Sequence, residues 1–138
     1  MIAGVAAGHP ATADAGAEIL LDGGTAADAA VAAGFASCVA ETVMTGLLGG
    51  GHAIYWNAAR GEARNLDCFV AVPGVAEPEW REPELVHLDV PFGEELVHYA
   101  IGPASCAVPG VPAGLDALWR EYGRLPWPRV SCPASPRR

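Results

Sequence analysis

The feature that most restricts the folds open to this chain is the triplet Gly23-Gly24-Thr25, which ends one helix and begins another. Ala13 to Asp22 is rich in good helix formers, and the paired glycines supply the left-handed backbone on which helices commonly end. Thr12 is the expected N-cap of this first helix of about three turns. Thr25 then caps a second helix, with Asp28 three residues on giving a capping-box pair and negative charge at the helix N-terminus. Ala29 to Ala40 continues it. Its residues are small nearly all round, which predicts a buried helix lying against a sheet rather than an amphipathic surface helix.

Either side of this pair the pattern changes. Ile2 to Ala7 is a short β-like apolar run stopped by Gly8-His9-Pro10, where proline ends strand pairing. After Glu41 comes Thr45-Gly46-Leu47-Leu48-Gly49-Gly50-Gly51, followed by strand candidates His52 to Asn57 and Glu62 to Asp67 around a turn at Ala58 to Gly61. That is a β-hairpin entered through a glycine loop. Pro73 to Glu84 reads as loop, Leu85 to Val90 as a return strand, and Pro112 or Ala113 to Tyr122 as a last helix with Gly123 at its end. The elements make a mixed α/β chain of the α+β kind.

Composition narrows the function classes. The 138 residues carry a net charge of −8 and no lysine, which excludes the clustered cations that phosphate backbones need. Glu77, Glu79, Glu82, Glu84, Asp89, Glu94 and Glu95 are opposed only by Arg81, and read as a solvated acidic loop rather than a metal site. No cofactor or metal is therefore expected. No apolar run reaches membrane-spanning length and the amino terminus lacks signal-peptide character, so neither a membrane nor a nucleic-acid partner is expected and the setting reads as cytoplasmic. Cys38, Cys68, Cys106 and Cys132 show no CxxC spacing, which favours free thiols in a reducing compartment.

Glycine loops invite a phosphate reading, which fails here. A P-loop needs Lys-Ser/Thr and a helix after the glycines, and a dinucleotide fingerprint needs a strand before and a helix after, whereas a strand follows Gly51. The glycines instead let a backbone or a small substrate come close.

The segments His9-Pro-Ala-Thr-Ala-Asp-Ala-Gly-Ala-Glu-Ile-Leu and Gly23-Gly-Thr-Ala-Ala-Asp-Ala-Ala-Val-Ala-Ala resemble the opening of the γ-glutamyltranspeptidase family. Glu41, Thr45-Gly46, Gly49-Gly50-Gly51 and Leu66-Asp67 fall in the order of that family's later elements, as do Ser105-Cys-Ala-Val-Pro-Gly-Val-Pro-Ala-Gly and Tyr122-Gly-Arg-Leu-Pro-Trp. The resemblance runs from about Gly4 to Trp127. It implies the N-terminal part of an N-terminal-nucleophile (Ntn) hydrolase, an αββα four-layer sandwich, in an enzyme that transfers or hydrolyses γ-glutamyl or related amides. It further implies self-cleavage into large and small subunits, with a threonine at the new N-terminus of the small subunit as nucleophile and its own amine as base.

This chain then corresponds to the early large subunit alone, with residues 1–127 as a partial domain and the missing small subunit as its partner. Residues 128–138, including the proline-broken and basic Ser131-Cys-Pro-Ala-Ser-Pro-Arg-Arg, form an atypical stretch expected to be a disordered or frameshifted tail. No catalytic residue is assigned within the chain. After Leu-Asp, the family carries Gly-Arg-Glu-Thr-Ala-Pro, whose arginine binds the substrate α-carboxylate in a bidentate contact. Here Leu66-Asp67-Cys68-Phe69 puts Phe69 at that position, and a phenyl ring cannot hold a carboxylate. Either the acyl group differs, or another cation such as Arg64 serves. Asp67 is the substrate-binding candidate by resemblance, with a strand-end aspartate accepting backbone hydrogen bonds as the alternative. His9 and His52 are read as structural, and Cys68 and Thr45 are rejected as nucleophiles because no Cys/His/Asn or Ser/His/Asp set surrounds them.

Two rivals stand beside this reading: a non-enzymatic acidic scaffold that binds a partner through open strand edges, and a large-subunit piece complemented by a separately encoded small subunit. Exposed sheet faces predict that the isolated chain aggregates or stays loosely packed. Thermal unfolding of the purified chain checks this, a sharp cooperative melt of a soluble monomer being the contrary outcome.

Overall fold

A computed structural model describes residues 3–74, 79 and 84–132. The chain forms two compact units, Met1–Phe69 with Pro109–Arg138, and Val70–Val108.

In the first unit, α1 (Pro10–Leu21) is capped not by Thr12 but by His9, whose Nδ1 accepts the Ala11 N–H at 3.1 Å. Pro10 explains the shift. Its fixed φ and missing N–H suit the first helical position, which moves the cap to the residue before it. Thr12 is buried and donates its hydroxyl to Glu41 Oε1 at 2.7 Å. The helix ends on Gly23 at φ 84°, whose N–H bonds Leu20 O while Gly24 N–H bonds Ile19 O. These two bonds form a Schellman cap. Of the run Ile2 to Ala7, expected to be β-like, residues 3–7 are described and join no strand.

The second helix, α2 (Ala26–Ala40), carries the expected capping box between Thr25 and Asp28. It packs against α1, α3 (Val111–Tyr122) and α4 (Trp127–Ser131), and it is α3 that lies on the sheet. Helix α2 is buried on one side as expected, with α3 making the closer approach to the sheet. Small side chains let three helices reach it, and that leaves the larger side chains of α3 to cover the strands. The core comprises Ile19, Ala27, Ala29, Val31, Ala32, Leu118 and Val130, with Tyr55, Leu66 and Leu115 packed against it.

Strands β1 (Gly51–Asn57) and β2 (Glu62–Cys68) pair antiparallel, each one residue longer than expected. Asn57 Oδ1 accepts from the Ala59 and Arg60 N–H groups, and Gly61 at φ 65° closes the turn.

Helix α4 corrects the expectation of a loose stretch after Trp127. Val130 is fully buried, and Arg129 bridges Glu18 at 2.5 Å and Asp22 at 2.6 Å. Its guanidinium pKa is raised above the ordinary arginine value, chiefly by the hydrogen bond to Asp22. Residues 133–138 lie outside the described residues.

The second unit is a hairpin, β3 (Val86–Phe92) and β4 (Glu95–Ile101), turning at Gly93 with φ 69°. Asp89, Glu94 and Glu95, read as part of an acidic loop, belong to this hairpin, and Asp89 pairs with His98 across it. Of the expected loop Pro73 to Glu84, residues 75–78 and 80–83 lie outside the described residues.

One carboxylate ties the helices of the first unit together. Asp28 is fully buried and accepts from Thr25 N, Arg124 N and Leu125 N at 2.8–3.3 Å. Asp28→Ala leaves several buried donors unsatisfied and should lower stability by about 3 kcal/mol. Asp28→Asn retains one acceptor oxygen and should lose less, both being read by urea denaturation.

Candidate functional site

The glycine segment leaves α2 through Thr45, whose hydroxyl donates to Ser37 O at 2.6 Å, and turns on a Gly49 N–H to Gly46 O bond. Gly49 O then accepts the Gly110 and Val111 N–H groups at 3.0 and 3.1 Å, satisfying donors at the start of α3. Between this loop, α2, α3 and the hairpin lies a cavity of about 340 Å³, with Cys38, Thr45, Gly50, His52, Cys68 and Leu115 among its lining residues. Both cysteines there are hydrogen-bonded to backbone, Cys38 to Gly34 O and Cys68 to Gly51 O.

The rejected nucleophiles are therefore committed elsewhere. The Thr45 hydroxyl serves the α2 exit. Cys68 is pressed against Gly114, where an added Cβ would stand 2.3 Å from both its Cβ and Sγ. Gly114 thus lets α3 meet β2 at backbone distance.

Asp67 and Phe69 come together at the open end of the hairpin. Asp67 Oδ1 accepts the Phe69 N–H at 3.0 Å, so the strand-end role is present in the geometry. His52 lies directly opposite Asp67 in the register, with Nδ1 3.6 Å from Oδ1, and its ring stacks on Phe69 with centroids 5.8 Å apart. The sequence reading gave His52 no acidic partner. A signal was available: five residues from the turn along each strand, back from Asn57 and onward from Glu62, arrive at His52 and Asp67. Arg64, the alternative cation, lies near the turn end of β2, opposite Tyr55 and 3.6 Å from Glu62 Oε1. Five extended residues place it about 16 Å along the strand from position 69. His9 is occupied as a helix cap.

Elsewhere in this unit Tyr55 and Tyr122 stack at 3.9 Å, and the Tyr122 phenol is raised above its ordinary pKa, first by its hydrogen bond with Glu121. Among the described residues, no group of three or more His, Cys, Asp and Glu is placed to hold a metal ion. No helix among them is long and apolar enough to cross a membrane.

A helix-covered hairpin entered through a glycine loop is an arrangement shared with known proteins. The structure superposes on γ-glutamyltranspeptidase of Helicobacter pylori with a TM-score of 0.74 at 30% identity, covering 97% of this chain and 36% of that one. It superposes on the transpeptidase CapD of Bacillus anthracis with a TM-score of 0.70 at 23% identity, over 96% of this chain and 37% of that one, a likeness of fold. The family model described as gamma-glutamyltranspeptidase matches residues 12–136, and the chain belongs to that family. Among curated relatives, the acylase ACY 1 proenzyme of Pseudomonas sp. (strain SE83) is 37% identical over 94% of this chain and 23% of its own length. The glutathione hydrolase proenzyme of Bacillus subtilis (strain 168) is 33% identical over 86% of this chain and 19% of its own. The chain thus spans less than a quarter of these relatives, and the match passes Trp127 to include α4.

Packing at the cavity wall yields a test. Gly114→Ala should lower stability by about 1–3 kcal/mol through overpacking. Because the Cys68 Cβ is itself in the way, Cys68→Gly should relieve the clash and Cys68→Ala should not, both read by denaturant midpoint.

Proposed function

We propose that this chain supplies the early large-subunit part of an enzyme that hydrolyses or transfers acyl groups from amides, with the γ-glutamyl group as only one possible acyl class. The observation that carries this reading is the family match over residues 12–136. In this reading the nucleophile is the N-terminal threonine of a small subunit that acts as partner to the chain, attacking the amide carbonyl with its own amine as base. Nothing in the described cavity replaces it, since Thr45 and Cys68 are engaged with backbone and pair with no histidine.

The sheet supports a place in a layered αββα sandwich. One face of β1–β2 is covered by α3, while Ile54 and Trp56 on the other are 78% and 61% exposed. A second sheet is the natural cover for such a face. Free thiols at Cys38, Cys68, Cys106 and Cys132 fit a cytoplasmic setting.

Phe69 bears on the acyl group. By resemblance it occupies the place of the carboxylate-binding arginine, and Arg64 is paired with Glu62 toward the other end of the strand. The similarity to an acylase as well as to glutathione hydrolases suits a substrate other than a strict γ-glutamyl amide.

Turnover of acyl anilides by the purified chain, alone and mixed with a small-subunit product bearing the threonine, tests the assignment. No activity is expected from residues 1–138 alone, and activity on mixing; activity from these residues by themselves would refute a nucleophile supplied by the small subunit. In the mixed enzyme, Phe69→Arg should raise kcat/KM for γ-glutamyl anilide relative to 4-aminobutanoyl anilide, which lacks the α-carboxylate, by roughly tenfold or more.

A further inference from the structure

The two tyrosines of the first unit lie face to face. Tyr55 comes from β1 and Tyr122 is the last residue of α3, and their ring centroids stand 3.9 Å apart with the planes 13° from parallel. Aromatic pairs more often settle at centroid distances of about 4.5–7 Å, offset or edge-on. These rings overlap closely, so carbons of one face carbons of the other at van der Waals contact. Both are half-buried, and a cleft of about 120 Å³ opens beside them, with Arg64, Asn65 and Glu121 also in its lining. The Tyr122 phenol is hydrogen-bonded to the Glu121 carboxylate, which holds its pKa above the ordinary value. It therefore keeps its proton at neutral pH, with an acceptor for that proton already in place.

We propose that Tyr55 and Tyr122 form an oxidative modification site, at which a diffusible one-electron oxidant joins the two side chains through a dityrosine bond. Two oxidising equivalents are consumed. Each phenol gives one electron to the oxidant and releases its hydroxyl proton, Tyr122 to Glu121 and Tyr55 to water. The two phenoxyl radicals then pair their electrons in one carbon–carbon bond between positions ortho to the oxygens. The hydrogens on those two carbons move to the oxygens as the rings recover aromaticity, so both phenols are restored and the product is two hydrogen atoms lighter. Stacking favours the coupling, because the new bond grows along the π lobes that face each other across the pair. Holding the rings in contact also favours it over cross-linking between chains. The link ties β1 to the end of α3 and closes a loop that contains Val70–Val108, which constrains the unfolded chain as a disulfide does.

The experiment is photo-oxidation of the purified chain with tris(bipyridine)ruthenium and persulfate, which together generate a ruthenium(III) one-electron oxidant. Peptide mapping of the monomer band should show Tyr55 joined to Tyr122 with two hydrogens lost, in a yield independent of protein concentration. The third tyrosine, Tyr99 on β4, is 48% exposed and serves as the control. Tyr99→Phe should leave the intramolecular link intact, whereas Tyr55→Phe and Tyr122→Phe, which each keep a ring in the stack, should abolish it. Glu121→Gln should slow its formation by roughly tenfold or more, and concentrated urea, which separates the rings, should prevent it. The cross-linked monomer should then unfold at a higher urea midpoint than the untreated chain. Dityrosine at Tyr99 alone, dityrosine confined to covalent dimers, an undiminished rate in Glu121→Gln, or an equal yield in urea overturns the proposal.

Discussion

The first unit is organised around a charge that has no water to fall back on. Asp28 sits at the N-terminus of α2, where the helix dipole favours a carboxylate, and it caps its own helix through Thr25. Its remaining accepting capacity takes the N–H groups of Arg124 and Leu125, almost a hundred residues away in sequence. A carboxylate buried this way is tolerable only when its lone pairs are filled, so the helix start and the α3–α4 connection specify each other. Thr25 adds a third tie by donating to Tyr122 O, and Arg124 adds a fourth by reaching Gly23 O. The placement of α3 on the sheet, and with it one wall of the cavity, follows from this junction.

Local chemistry was the legible part of the sequence. The Schellman exit at Gly23-Gly24, the capping box at Thr25 and Asp28, and the hairpin turn ending at Gly61 each depend on residues within a few positions of one another. Their elements form nearly where expected. What could not be read depends on distance. Thr12 looked like a cap because its long-range partner Glu41 cannot be seen from its neighbours. Strand β4 hid behind Glu94-Glu95, which read as a continuation of an acidic loop although Gly93 provides a tight turn. Helix α4 hid behind its prolines, since its stability comes from Val130 in the core and Arg129 between Glu18 of α1 and the Asp22 that follows that helix rather than from propensity.

The candidate site divides the same way. The resemblance drew attention to Asp67 and Phe69 through their order in the motif, but only pairing across the hairpin brings His52 to them. Sequence order gave the identity of the substituted position. The register gave its surroundings, and the surroundings decide whether Phe69 is a loose ring or an oriented one.

The hairpin unit Val70–Val108 leaves and rejoins the first unit at neighbouring points. Backbone at Gly110 runs against the carbonyls of Cys68 and Phe69, while Ala71 and Val108 exchange both backbone hydrogen bonds and zip the stem of the inserted unit. Loop-closure entropy grows only logarithmically with length, so doubling an insertion costs about 0.6 kcal/mol. With its stem closed by the Ala71–Val108 bridge, this stretch of about 40 residues can lengthen at a closure cost that grows only slowly.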